Sequence, residues 1–130
     1  MKVLLDTCAI LWAISDPDSL TGKARDVLNQ EDTEVTVSPI SCAEIACAVE
    51  RGRLELDRRW KLWFRHFVNQ NGWETVDIDL FVVEEAYSLP TPFHADPADR
   101  IIVASARILR CPVVTADRKI LEYPHVDTVW

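Results

Sequence analysis

Apolar residues recur along the chain in two alternating rhythms. Short apolar runs at Val3–Asp6, Glu34–Ser38, Trp73–Ile78, Cys111–Thr115 and Val126–Trp130 read as strands. Between them lie segments with helical spacing: Thr7–Ile14, Thr21–Gln30, Ser41–Arg51, Leu56–Asn69, Asp79–Leu89 and Pro97–Arg110, with a short helical turn starting at Asp117. Pro17 ends the first helix, Pro39 the second strand and Pro90 the fifth helix, while Asn71-Gly72 turns the chain into the third strand. The helix Ser41–Arg51 carries small residues at its inner positions, Cys42, Ala43, Ala46, Cys47 and Ala48, and is expected to lie close to its neighbours. Strands alternating with helices predict an α/β fold: a central, mainly parallel sheet of four or five strands, flanked by helices on both faces. The last strand is expected at an edge. No repeat or linker breaks the pattern, and 130 residues make a single domain, 1–130.

In an open parallel sheet the ligand sits beyond the carboxyl ends of the strands. Those ends carry carboxylates. Asp6-Thr7 closes the first strand, Ser41-x-x-Glu44 follows the second, Asp96-Pro97-Ala98-Asp99 opens the helix before the fourth, and Thr115-Ala116-Asp117 closes the fourth. Each has a purely structural reading. Asp6 or Thr7 could cap the first helix, Ser41-x-x-Glu44 fits a capping box, Asp96 before Pro97 is a natural helix start, and Asp117 could cap the last turn. As a set they point elsewhere. Asp6 and Asp117 terminate runs that look fully buried, and Asp99 shares a helix face with Ile102, Val103 and Ala106. Two like charges about 4 Å apart repel by roughly 4 kcal/mol at an effective dielectric near 20. A cluster of such acids therefore needs protons or a cation, and oxygen-only ligands suit Mg²⁺ or Mn²⁺.

Competing chemistries lack their residues. The glycines are Gly22, Gly52 and Gly72, none at a strand-to-helix turn, which excludes a Rossmann dinucleotide loop and a P-loop. There is no Gly-x-Ser-x-Gly elbow and no Asp-x-Asp on the first strand. The four cysteines form no C-x-x-C pair and the three histidines keep no zinc spacing around them, so reduced thiols are expected. Asp6 interrupts the apolar run at the amino terminus, and no stretch approaches the roughly 20 residues of a membrane span, so the expected location is cytoplasmic, with no membrane partner.

The ordered set of acids resembles the PIN-domain ribonucleases. Leu4-Leu5-Asp6-Thr7 is similar to their opening strand and Ser41-x-x-Glu44-Ile45 to their second acidic motif. Asp96-Pro97-x-Asp99-Arg100-Ile101-Ile102-Val103-Ala104-x-Ala106 resembles the third and Val113-Val114-Thr115-Ala116-Asp117 the fourth. The length, and His94-x-Asp96-Pro97, resemble the VapC-type toxins of toxin–antitoxin pairs. The resemblance implies a PIN-like fold and Mg²⁺-dependent cleavage of RNA, by a homodimer that a cognate antitoxin neutralises. It assigns metal binding and catalysis to Asp6, Glu44, Asp99 and Asp117, leaves Asp96 as an extra carboxylate of open role, and gives Thr7, Ser41 and Thr115 the task of orienting the acids. Two other readings stay open: a PIN-fold nuclease for RNA processing or structured DNA without an antitoxin, and a non-catalytic α/β module whose acids are only helix caps.

A net charge of −7 is unhelpful for binding RNA, because phosphate neutralisation normally supplies the affinity. Arg100 and Arg118, beside the site acids, are placed either to hold substrate phosphate or to pair with carboxylates. Arg51–His66 carries six basic against two acidic residues, with Trp60, Trp63, Phe64 and, just beyond, Phe67 at helical spacing. That helix is expected first to form a groove for the antitoxin or a dimer face, second to be core, and third to stack on RNA.

Overall fold

A computed structural model describes residues 1–130. Its elements in order are β1 (Lys2–Leu5), α1 (Thr7–Ser15), a 3-10 turn (Pro17–Ser19), α2 (Gly22–Asn29), β2 (Glu34–Val37), α3 (Pro39–Glu50), α4 (Trp60–Gln70), β3 (Glu74–Thr75), α5 (Leu80–Ala86), α6 (Pro97–Leu109), β4 (Val113–Val114), α7 (Arg118–Leu121) and β5 (Thr128–Val129). The strands form one sheet in the order β3-β2-β1-β4-β5, and every pairing is parallel. The predicted α/β architecture is therefore the one observed, and β5 is an edge strand as expected. No helix is long and apolar enough to cross a membrane.

Alternation along β1 sets the two layers. Val3 and Leu5 point to one face and join Val35, Val37, Ile10, Trp63 and Phe64 in the larger core. Leu4 points to the other face and meets Ile102, Val103, Ala106, Val113 and Ile120. Thr36, buried on β2, donates its hydroxyl to the carbonyl of Val3 at 2.8 Å, so this polar side chain is satisfied inside the sheet.

Several boundaries differ from those the sequence predicts. Helix α3 starts at Pro39, with Ser38 as its cap, so Ser41 lies buried inside the helix and no Ser41–Glu44 capping box exists. Pro at the first helical position is pre-set for helix and wins over the serine–glutamate spacing. The same helix exposes Ala43 and Cys47, so only part of its small-residue run faces inward. Helix α4 begins at Trp60 and not at Leu56, and β3, β4 and β5 are pared to two paired residues each. After α4 the chain reverses at Gly72, whose φ of +67° lets Trp73 donate back to Val68 at 3.0 Å.

Candidate active site

Strand order reverses at β1, with β2 and β3 on one side and β4 and β5 on the other. Asp6 is the first residue past β1, at that switch point. Asp117 lies just past the neighbouring β4, Glu44 in the second turn of α3, and Asp99 in the first turn of α6. Together with Asp96 and Thr7 they line one open cleft of about 610 Å³, whose other walls are Cys8, Leu11, Trp12, Ala48, Ala116 and Lys119. Acids separated by up to 111 positions thus share one concave surface.

Hydroxyls hold the acids in place. Asp6 is buried; its Oδ1 caps α1 by accepting from the Ala9 amide at 2.8 Å, and its Oδ2 accepts from the Thr115 hydroxyl. Thr115 Oγ1 in turn accepts from the Asp117 amide at 2.9 Å, so one buried threonine joins the ends of β1 and β4. Thr7 donates to Glu44 Oε1, and its hydroxyl lies 2.9 Å from that of the buried Ser41. Thr7, Ser41 and Thr115 therefore all touch the acids or their supports. The capping readings are also real: Asp96 caps α6 through Ala98 and Asp99 amides, and Asp117 caps α7 through Lys119. Glu44 and Asp99 are no caps at all. Asp99 Oδ2 instead lies 3.1 Å from His94 Nε2, out of line for a hydrogen bond to that otherwise unpartnered ring nitrogen.

Crowding shows in the proton affinities. Burial, then the charges of Asp96, Asp117, Glu44 and Asp6, pushes the Asp99 carboxyl up to about 7. Burial also raises Asp6, against the hydrogen bonds from Thr115 and Ala9, with Asp117 and Glu44 adding repulsion. Glu44 is raised by burial and Asp96, partly offset by Thr7. Even the Cys8 thiol is raised, by burial and then by the acids. No three acids, histidines or cysteines close into a tight cage; Asp6, Glu44, Asp96 and Asp117 each lean on their own donor, and Asp99 has none. The donor set still fits a hard divalent cation. It is all oxygen, Glu44, Asp96 and Asp117 each keep one oxygen without a protein donor, and a cation would relieve the repulsion that lifts Asp99.

Several expected roles fail on geometry. Arg100 is not turned to the cleft: its guanidinium donates to the carbonyls of His94, Ala86 and Phe93 at 3.1, 3.0 and 2.9 Å and stacks over Tyr87. Three of its five N–H groups are thus spent on main-chain carbonyls, and it fastens the segment before α6. Arg118 projects into solvent and reaches Glu122 at 3.3 Å; the lysine one residue later, Lys119, is the cation lining the cleft. Trp63, expected at a partner face, is 2% exposed and belongs to the core, whereas Phe64, 7% exposed, lines an open groove of about 890 Å³ together with Trp60. Trp60 and Phe67 are half-buried at the edge of that core. The sequence reading missed Trp12 and Lys119 as cleft walls and His94 as the neighbour of Asp99. For Trp12 a signal was available, since it follows Cys8 by one helical turn and so continues the face that leaves Asp6.

Parallel order, a switch-point aspartate and a shared oxygen-donor cleft are those of a metal-dependent nuclease of PIN type. A model of the PIN domain family matches residues 3–126. Ribonuclease VapC22 of Mycobacterium tuberculosis is 33% identical over 130 residues, spanning 98% of each chain. The chain belongs to the PIN-domain family, among the VapC-type members. Solved structures agree on the fold. VapBC2 of Rickettsia felis, bound to a DNA fragment from its promoter, matches with a TM-score of 0.72 at 19% identity, over 98% of this chain and 97% of that one. VapBC-1 from nontypeable Haemophilus influenzae matches at 0.64 and 14% identity, over 98% and 96%.

Proposed function

We propose that this chain, acting as one domain over 1–130, is a Mg²⁺- or Mn²⁺-dependent endoribonuclease and the toxin of a toxin–antitoxin pair, working in the cytoplasm. The observation that carries the reading is the cleft in which Asp6, Glu44, Asp99, Asp117 and Asp96 meet. Its full-length relative bears the name of a ribonuclease, and its structural relatives are toxin–antitoxin complexes.

Asp6, Glu44, Asp99 and Asp117 would hold the metal, with Asp96 at the rim. A divalent ion there supplies Lewis acidity for in-line hydrolysis of a phosphodiester. The chain's own residues do the rest. Thr115 holds the direction of Asp6 and the start of α7, and Thr7 holds Glu44, which limits how far these oxygens must move when the site is loaded. Asp99, raised to about 7, gives up its proton once a cation is near, which couples loading of the site to pH.

The homodimer is proposed on α5, where Leu80 and Phe81, with Tyr87 just past the helix end, are 73%, 60% and 59% exposed; such neighbouring apolar side chains mark a contact face. The cognate antitoxin is proposed to block the cleft.

The test is digestion of single-stranded RNA by purified chain with Mg²⁺, with EDTA, and with Asp99→Asn in parallel. Mg²⁺ should support cutting that leaves 5′-phosphate and 3′-hydroxyl ends, and both EDTA and the variant should abolish it. A 2′,3′-cyclic phosphate product, or equal cutting in EDTA, would sink the mechanism.

A further inference from the structure

Helix α1 contains no charged residue, yet the core does not enclose it. Ala9 and Ile10 are buried, but Cys8 is exposed and Leu11 and Trp12 are half-buried. These last three, spaced by three and four positions, share a face. A surface helix normally turns charged and polar residues outward. Here Leu11 and Trp12 pack on the core with one side, and the apolar surface they leave open forms one wall of the acid cleft. Such a wall does nothing to hold a cation. Trp12 packs against Trp130, which is not part of the cleft lining, with ring centroids 5.6 Å apart and planes tilted by 39°. Lys119 lines the same cleft and is its one basic residue.

We propose that Trp12 is a positioning residue for substrate: a stacking platform for a nucleobase beside the scissile phosphodiester, with Lys119 taking an adjoining phosphate. The inference rests on the ribonuclease reading above. It also answers the charge problem. A chain of net −7 gains little from phosphate neutralisation, so affinity for RNA must come largely from contacts that ignore charge. Base–aromatic stacking is such a contact, and it is sequence-tolerant because every base has a flat face. The cleft, at about 610 Å³, falls within the size range of sites that enclose small ligands. A partner protein's apolar side chain could use the same wall. The pairing of one flat ring with one lysine beside the acids favours nucleic acid.

The test measures binding and cleavage of a fluorescent, mixed-sequence single-stranded RNA by Trp12→Leu, Trp12→Phe and Lys119→Ala. Binding is read in Ca²⁺, to slow turnover, and cleavage in Mg²⁺. Trp12→Leu keeps apolar bulk against Trp130 and should weaken RNA binding about 5- to 100-fold, the range for losing one stacked base. The loss should appear in KM more than in kcat, and Trp12→Phe should restore most of it. Lys119→Ala, at an exposed position, should lower the salt dependence of binding by about one phosphate contact. Trp12→Leu that melts like wild type and binds RNA within twofold of it would overturn the platform. So would a variant that keeps RNA binding but loses a purified antitoxin, which would make the wall a protein-docking face. Wild-type chain that neither binds nor cuts RNA in Mg²⁺ would instead remove the ribonuclease reading, and the platform with it.

Discussion

The acid cleft and helix α4 each concentrate one kind of side chain, and the fold treats them in opposite ways. The carboxylates lie on four different elements and meet at the edge of the sheet where the chain's direction switches. The aromatics of α4 lie on a single element, and one of its two tryptophans, Trp63, goes inside. Carboxylates brought together repel, so their meeting is costly and invites a chemical reason. Aromatics brought together simply bury area, so their clustering needs no reason beyond the core. Gathering against an energetic cost is the better sign of function.

The sharpest break of the comparison is at Trp63. Trp63→Ala should destabilise the fold by about 3–5 kcal/mol through a large cavity, while the folded fraction keeps its specific activity. Chemical denaturation with parallel cleavage assays reads both numbers. Unchanged stability would return α4 to the list of partner surfaces. Thr115→Val is the mirror experiment on the cleft side. It keeps the shape but removes the hydroxyl shared by Asp6 and Asp117, and cleavage should fall about 10- to 100-fold. Thr115→Ser should restore it, and a fully active valine variant would deny that the threonine orients the acids.

A smaller effect concerns pH. The Asp99 carboxyl is raised from 3.8 to about 7 in the folded chain, so the folded state binds this proton more tightly than the unfolded one. Its contribution to stability is complete below about pH 4 and is lost as pH rises through about 7. In EDTA, wild type should therefore lose melting temperature relative to Asp99→Asn over that window. Mg²⁺ or Mn²⁺ should raise the wild-type melting temperature more at pH 8 than at pH 5. Calorimetric scans showing equal metal shifts at both values would contradict the coupling. The smallest effect is expected at Arg118. Arg118→Ala removes only an exposed pair with Glu122, and should change stability by at most about 1 kcal/mol and cleavage less than twofold.

The sequence made legible whatever depends on local pattern. Strand alternation and helix spacing located every strand and α-helix within a few residues but not the 3-10 turn at Pro17–Ser19, and the carboxylates stood out because each follows an apolar run or opens a helix. What it hid depends on reach and direction. Ser41 and Glu44 have the spacing of a capping box, but Ser38-Pro39 starts the helix earlier and frees Glu44 for the cleft. Arg100 sits beside Asp99 in sequence, yet a long side chain goes to the carbonyls within its range. An amphipathic aromatic helix looks the same whether its apolar side meets its own sheet or another protein. Only the packed structure separates the two.

Asp99 and Arg100 also share a hidden dependence on phase. One residue of helical rotation, about 100°, separates an acid that looks into the cleft from a guanidinium that pins the peptide carrying His94. Substitutions nearby disturb one partner or the other. A single inserted residue between Asp96 and Asp99 would swing both out of alignment at once, leaving the sheet intact while the acid and its neighbouring loop came undone together.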